Sequence, residues 1–498
     1  MKKKCVIIGS GLGGLACGAI LAKNGYEVTV LEQSNQMGGC LQCFSRQGVK
    51  FETGMHFIGS VDEGQALYRL LRYLDVMDDI QLSRLDTTGY DVVSFNGDSF
   101  RFPNGKEAFI EQIASYFPKE KDNLAKYYNL INNIAQSSAL HTVSHLETNM
   151  AINVEYQLRS MNAVLEEMIG DPFLQNILAG NLPLYAAKKD KTPFSSHAFI
   201  VDFYNQSAFR MIGGSESIGV SLSNTIQKWG GQVLTHHKAI RVECDDSKAT
   251  GVETENGKLF PADYVISDIH PKKLLEITDS KLIRSHFRNR INMLPNTTAI
   301  FSVYLHFREN TVPYMNHNFY GYRSDSPWGC EDYTEENWPK GYMYMHFCHQ
   351  NNPQYAKGGV IFSYMSKEEV APWEDTTVGR RGDSYQAFKK QKAEVLLSAV
   401  EKDFPHLRNN IANYYTSSPL TYRDYTGTED GSIYGIAKDI TSGISSHISH
   451  RTRVPNLFLA GQNTNSHGML GVLIGSILAC SDLIGNQIIH HQITEANR

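Results

Sequence analysis

An α/β fold that starts with a parallel strand–helix–strand unit and carries an inserted α+β domain is predicted from three observations. The chain opens with an apolar run, Cys5-Val6-Ile7-Ile8, which passes through Gly9-Ser10-Gly11-Leu12-Gly13-Gly14 into a helix-forming stretch ending near Gly25 and a second apolar run at residues 28–31. Over residues 78–205, after short strands at 90–102, helical patterns rich in Tyr, Asn and Lys interrupt the strand-rich pattern, which then returns. The end of the chain carries a similar device, with a strand pattern over 456–460 closing on Gly461 and then an apolar helix. At 498 residues the chain exceeds the roughly 250–300 at which one core stops growing, so at least two domains are expected.

The opening unit reads as a buried strand, a tight turn, a helix and a second parallel strand. Gly9, Gly11 and Gly14 fit G-x-G-x-x-G, with Ser10, Leu12 and Gly13 between them. In that pattern the first glycine turns the chain, the second lets a pyrophosphate approach the backbone, and the third lets helix and strand pack closely. The helix start offers free N–H groups and a partial positive charge to phosphates. Glu32 follows the second strand, about 20 residues beyond the first glycine, where a carboxylate accepts hydrogen bonds from ribose hydroxyls. An acid there favours the plain ribose of FAD or NAD over the 2′-phosphate of NADP, so a Rossmann-type dinucleotide site is expected, with Gln33 beside the acid.

The next glycine pair, Gly38-Gly39, with Cys40, suits a loop that passes the pyrophosphate and ribitol again. Phe51-Glu52-Thr53-Gly54-Met55-His56-Phe57-Ile58-Gly59 alternates briefly as a strand, and Met55 and His56 are expected at the cofactor. Leu67, Leu70, Leu71 and Leu74 recur at helical spacing and predict one buried face. In the inserted domain, residues 111–136 and 163–178 carry long helical patterns. The strand-rich return runs through Gly213-Gly214, a helix to Trp229, strands at 232–234 and 239–244, Gly251-Val252-Glu253 and Tyr264-Val265-Ile266-Ser267. Ala239, Ile240 and Ser267 are expected to touch the cofactor. A second strand-rich section opens over 292–305, and 384–403 is a strongly patterned helix. After Gly461-Gln462, a helix begins near Gly468. Its first turn, with Leu470, Gly471 and Val472, suits the electron-accumulating end of an isoalloxazine.

Hydrophobic content of 41% and charged content of 20% describe an ordinary globular chain. The net charge of −5 gives no electrostatic reason for a nucleic-acid partner, and none is expected. The opening Met-Lys-Lys-Lys resembles the start of a secretory leader, but the apolar stretch behind it is broken by Gly9, Gly11, Gly13, Gly14 and Gly18 and doubles as the nucleotide fingerprint. Eight cysteines without a framework point to a reducing cytoplasm. Residues 469–484 come nearest to a spanning segment but contain Gly471, Gly475, Ser476, Ser481 and Asp482, and fall short of the roughly 18 continuous apolar residues a span needs.

Taken together, the fingerprint with Glu32 and Gly38-Gly39, the mid-chain Gly213-Gly214 and the closing Gly461 resemble the phytoene desaturase and carotenoid isomerase group of FAD-dependent, amine-oxidase-like flavoproteins. The retinol saturase-like branch is the most similar, at Gly38-Gly39-Cys40, at residues 51–59, at Ser418-Pro419-Leu420-Thr421, at Gly431-Ser432-Ile433-Tyr434-Gly435, and at Gly461-Gln462 with Gly468 and Cys480. The resemblance runs from end to end and is loosest in the inserted domain. It implies one non-covalent FAD, a split Rossmann domain and a substrate domain shaped for a long, conjugated, apolar chain. It also implies saturation, desaturation or cis/trans isomerisation at carbon–carbon double bonds. Two departures stand out: Asn463 replaces the acid expected after Gly461-Gln462, and Cys40 replaces the arginine common after the glycine pair. The division expected is 1–77, 206–290 and 416–498 for the FAD-binding domain and 78–205 and 291–415 for the substrate domain.

Saturating an alkene with a flavin requires a hydride at one carbon and a proton at the other. His56, His467 and Tyr434 are the candidate proton donors, with Asn465 a further polar candidate. No metal is expected. Cys40-Leu41-Gln42-Cys43 has no second cysteine pair at ligand spacing, and His141 and His145 lack the glutamate of H-E-x-x-H. Arg380-Arg381 reads as a solvated loop, and no G-x-S-x-G elbow is present. The expected activity is FAD-dependent saturation of a retinoid, carotenoid or related isoprenoid or lipid in the cytoplasm at a membrane face. A carotenoid desaturase or redox-neutral isomerase is the alternative within the flavin class, and a lipid carrier with structural FAD the alternative outside it. With no second nucleotide fingerprint, electrons are expected from a partner protein, a quinone or the substrate itself.

Overall fold

The computed structural model describes residues 2–138, 143, 150–442, 446–464 and 466–498. The paired histidines His141 and His145, and Asn465, lie outside the described residues. Apolar β-branched runs build a five-stranded, all-parallel sheet. Its elements are β1 (Lys4–Ile8), α1 (Leu12–Lys23), β2 (Glu27–Leu31), α2 (Glu216–Lys228), β3 (Gln232–Leu234), β4 (Tyr264–Ser267), β5 (Leu457–Leu459) and α3 (Gly468–Ile484). The strand order is β3-β2-β1-β4-β5, so β1 lies at the centre, opposite Glu27–Leu31 on one side and Tyr264–Ser267 on the other.

Such a sheet is buried on both faces, and the pleat divides its residues between two cores. Cys5 and Ile7 of β1 join Val28, Val30, Ile266 and Phe458 under α1, α2 and α3. Val6 and Ile8 face Leu31, Val265, Leu457 and Leu459, covered by the antiparallel meander of strands Ala239–Cys244, Ala249–Thr254 and Leu259–Pro261 and by helices Pro271–Glu276 and Ser285–Asn292. The stretch expected to start with strand at 292 therefore ends a helix first. Pro295 intervenes, and the strand begins at Ile300.

A second, seven-stranded sheet takes Ile411–Ser417, Ile300–Phe307, Gly358–Tyr364, Gly341–His346, Asn318–Tyr322, Asp91–Phe95 and Asp98–Phe102, in that order. All its pairs are antiparallel except Asn318–Tyr322 beside Asp91–Phe95. One face, with Tyr304, Tyr320, Met343, Met345 and Phe362, packs against the helices of the inserted segment and also against Phe51 and Phe57. The other face, with Phe301, Val303, Leu305 and Ile361, is covered by helix Gly382–Val400.

Each of the two long helical patterns is broken. Residues 111–136 split at Pro118 into Lys106–Tyr116 and Lys121–Gln136, and 163–178 into Met161–Met168 and Pro172–Leu178. Asp171 caps the last of these, accepting from Phe173 N–H at 2.9 Å and Leu174 N–H at 3.1 Å, and Pro172 sits at the first position where its missing N–H costs nothing. Among the described residues no helix is long and apolar enough to cross a membrane, and no group of three or more His, Cys, Asp or Glu side chains could hold a metal ion. The eight cysteines are unpaired.

Candidate active site

The two ends of the chain meet at the carboxyl edge of the parallel sheet. Gly9 ends β1 with φ +96°, a conformation that needs glycine, and its N–H donates to Leu31 O at 2.8 Å. Gly11 caps α1 without a side chain of its own, and the N–H groups of Gly11 and Gly14 at the helix start face the Asp268 carboxyl. A Cβ on Gly13 would stand 2.8 Å from the backbone nitrogen of Gly461, and one on Gly14 3.1 Å from the carbonyl carbon of Gly9. The glycine turn of one terminus is thus built against the glycine of the other. Ser476 Oγ of α3 ties them further, donating to Gly13 O at 3.2 Å.

Glu32 is buried at the end of β2 with both carboxylate oxygens engaged. Oε2 accepts from Ser10 N–H at 3.1 Å and Ser10 Oγ at 2.5 Å, and Oε1 from Ser34 N–H at 2.8 Å. Gln33 is exposed beside it. Gly38 N–H donates to Ser10 O at 2.9 Å, and Gly39 lies so close that a Cβ there would stand 3.1 Å from Gly11 Cα. The two glycine loops are stacked directly. Leu12 lies partly buried at the helix start. Cys40 is exposed, and Gly54 runs against its carbonyl, bringing Met55 and His56 into the same wall. Ser267 ends β4 with its hydroxyl enclosed and without a partner among the described residues. Leu470 lies partly buried and Val472 buried in the first turns of α3, where a Cβ on Gly471 would stand 2.7 Å from Ser466 Cβ. Ala239 and Ile240 lie at the start of the meander. Ala239 packs on the core under Leu31, and Ile240 is 40% exposed beside a shift in the strand pairing between Ala239 and Arg241.

Asn463 fills a different role from the acid it replaces. Its Oδ1 accepts from Ile436 N–H at 3.0 Å and occupies the space a Cβ on Gly435 would need. It therefore braces the 431–436 loop that carries Tyr434. Gln462 Nε2 reaches Ile433 O of the same loop at 3.5 Å.

The proton-donor candidates separate into two groups. Tyr434 lies against His467, ring centroids 4.7 Å apart, and its hydroxyl donates to Pro183 O at 3.3 Å. Burial, with the Lys438 charge adding to it, lowers His467 to about 4, while burial raises Tyr434 well above an ordinary phenol. His56 sits between the rings of Phe347 and Phe362, at 6.0 and 6.1 Å. Its Nδ1 is enclosed without a hydrogen-bond partner among the described residues and stands 3.8 Å from Glu52 Oε2. Burial and the nearby Arg210 charge lower His56 to about 3. Burial raises Glu52 to about 8 in spite of Arg210. At neutral pH the imidazoles are therefore uncharged, and Glu52 keeps its proton.

Sequence reading missed Glu52, Arg210, Asp268 and Lys438. Arg210 is buried, donating to His56 O at 3.3 Å and His317 O at 3.1 Å. Lys438 donates to the carbonyls of Asn463 at 3.4 Å and Thr464 at 3.1 Å, just before α3, and burial lowers it to about 8. Glu52 lies within the 51–59 motif and Asp268 directly after β4, but nothing in their spacing signals burial.

This cradle, with a helix start aimed into it, an oriented carboxylate at the second strand and glycines where any Cβ would collide, fits a dinucleotide and can hold FAD. The family model for flavin-containing amine oxidoreductases matches residues 12–484. The all-trans-retinol 13,14-reductase of Rattus norvegicus is 28% identical over 97% of this chain and 86% of its own length. Prolycopene isomerase 1 of an Oncidium hybrid cultivar is 22% identical over 95% and 82%. The solved structure of an oxidoreductase from Methanosarcina mazei shares the fold with a TM-score of 0.67 at 17% identity, covering 96% of this chain and 100% of that one. The chain is an FAD-dependent oxidoreductase and belongs to the flavin-containing amine oxidoreductase family.

Proposed function

We propose that this enzyme saturates one double bond of a long, conjugated, apolar retinoid, carotenoid or related isoprenoid. The observation that carries the reading is the aromatic wall on the segment passing the cofactor. Phe51 lies 6.1 Å from Tyr304 and 5.9 Å from Phe347, Phe57 lies 4.6 Å from Tyr204, and His56 stacks with Phe362. Phe51, Phe57, Tyr304, Phe347 and Phe362 are buried, and an apolar aromatic lining beside the cofactor suits a polyene better than a charged substrate. The likeness to a retinol 13,14-reductase along nearly the whole chain supports the same reading.

When bound, FAD would supply the hydride for one carbon of the alkene. The residues that would hold it are Gly9, Ser10, Gly11, Leu12, Gly13, Gly14, Glu32, Gln33, Gly38, Gly39, Cys40, Met55, His56, Ala239, Ile240, Ser267, Gly461, Gln462, Leu470, Gly471 and Val472. The proton for the other carbon comes through His56. Its ring N–H donates as Nδ1 accepts the proton that Glu52 retains, so no charged imidazolium has to stand in a buried site. Tyr434 and His467 orient the polyene over the α3 end of the site. The N-terminus of α3 would stabilise negative charge on a reduced flavin held there.

The chain divides as 1–77, 206–290 and 416–498 against 78–205 and 291–415, except that strand Ile411–Ser417 carries the substrate side past residue 415. The enzyme works in the cytoplasm on a membrane face, where its substrate resides. It takes electrons from a partner protein, a quinone or the substrate, since the sequence shows one nucleotide fingerprint. Flotation with liposomes and the absence of stoichiometric flavin bleaching by NADPH test these two points. The reaction is tested by anaerobic incubation of the dithionite-reduced protein with all-trans-retinol or lycopene. Addition of H2 to the polyene, read by mass spectrometry, is expected. Altered absorbance at unchanged mass would support the isomerase reading, which the prolycopene isomerase relative favours.

A further inference from the structure

Asn463 follows Gly461-Gln462, but a carboxyl from the end of another strand reaches the same glycine turn. Asp268 follows β4 directly, with its backbone N–H donating to Ile8 O at 2.8 Å, and its side chain reaches into the glycine turn. A Cβ on Gly11 would stand 2.5 Å from Asp268 Oδ2, and Cβ atoms on Gly13 and Gly461 would both collide with Oδ1. Three glycines from the two ends of the chain thus leave room for this one carboxyl, at the place where the second fingerprint glycine admits a pyrophosphate. Burial raises Asp268 to about 7. The N–H groups of Gly14 and Gly11 oppose that shift, and the Glu32 charge adds to it. The other titratable groups facing it are Glu32, from the end of β2, and Cys40, from the stacked loop, both of acidic type.

We propose that Asp268 is an FAD-binding residue that contacts the pyrophosphate as a neutral carboxylic acid, donating its O–H to a phosphate oxygen, so that FAD binding takes up one proton. The proposal rests on the reading of the glycine cradle as the FAD site. Two like charges cannot share one anion site without one being neutralised. A pyrophosphate held on the start of α1 carries permanent negative charge at neutral pH, so the group that gives way is Asp268. The proton comes from solvent, and no bond of the cofactor is made or broken. The contact gains the strength of a charge-assisted hydrogen bond, which an ionised Asp268 cannot offer to a phosphate.

The test is titration of the apoprotein with FAD from about pH 6 to pH 9, read by flavin fluorescence, with calorimetry in buffers of differing ionisation enthalpy. Affinity is expected to hold at acidic pH and to fall by up to about tenfold per pH unit above the Asp268 titration, with about one proton taken up per FAD bound at the alkaline end. Asp268→Asn keeps a donor at this place and should bind FAD with little pH dependence and no such uptake. A wild-type affinity that stays flat over the range, or an unchanged slope in Asp268→Asn, overturns the proposal while leaving the cradle reading standing. If the variant fails to fold, absence of proton uptake by the wild-type protein overturns it alone. Failure of the wild-type protein to bind FAD at any pH overturns the cradle reading and this proposal with it.

Discussion

Replacing Gly14 by alanine should cost this protein both stability and FAD. The added Cβ would stand 3.1 Å from the Gly9 carbonyl carbon, deeper still against its oxygen, and 3.2 Å from Asp268 Cβ, all inside the 3.4 Å of ordinary contact. Gly9 has nowhere to retreat. Its N–H is bonded to Leu31 O at 2.8 Å, and on its other side the Ile269 side chain lies 3.2 Å from where a Cβ would be. Relief therefore means tilting the start of α1 away from β1, an overpacking error that costs about 1–3 kcal/mol. The same tilt moves the N–H groups that receive the pyrophosphate, and at about 1.4 kcal/mol per decade FAD affinity should fall roughly tenfold or more. Gly219 on α2 is the matched control. Its nearest neighbours to a Cβ are Gly38 Cα and Leu15 Cδ1, both at 3.7 Å, and alanine there removes a helix-interior glycine that costs roughly 0.5–1 kcal/mol. Urea unfolding of the apoproteins and fluorescence titration with FAD give the two readouts. The packing argument fails if Gly14→Ala unfolds and binds like the wild type, or if Gly219→Ala loses as much.

Three further substitutions probe the site. Glu32→Ala removes the acceptor of Ser10 N–H, Ser10 Oγ and Ser34 N–H, and should weaken FAD binding by about tenfold or more through the lost charge-assisted bonds; fluorescence titration checks this. Glu52 holds its proton below about 8 and loses it above, so single-turnover reduction of the polyene should slow as pH rises through about 8, and Glu52→Gln should be slow at every pH with unchanged FAD content in stopped-flow traces. Asn463→Ala frees the loop that Asn463 holds through Ile436 N–H, and should cost about 1–2 kcal/mol in urea unfolding while lowering turnover more than FAD affinity.

Much of the nucleotide half was legible because its determinants are local. Glycines at Gly9, Gly11 and Gly14, an acid after the next strand and a period of apolar residues act through a few neighbouring backbone units, and Glu32 bonded to Ser10 is the direct outcome. The breaks at Pro118 and at Gly170-Asp171-Pro172 were overlooked, since apolar periodicity runs on through both points although proline cannot continue a helix there. The strand at Ala239–Cys244 shows the limit of local reading: the strand was visible, but the shift in pairing between Ala239 and Arg241, which interrupts its alternation, depends on the neighbouring strand.

The amino-acid sequence alone determined that a strand, a glycine turn and a helix open this chain and that a matching device closes it, because backbone sterics and hydrophobic periodicity are properties of contiguous residues. Tertiary structure alone decided which acids hold protons. Glu52 and Asp268 are ordinary carboxyls in the sequence, and only the segments folded over them remove the water that would have kept them ionised, against the opposing charge of Arg210 in the one case and the opposing N–H groups of Gly11 and Gly14 in the other.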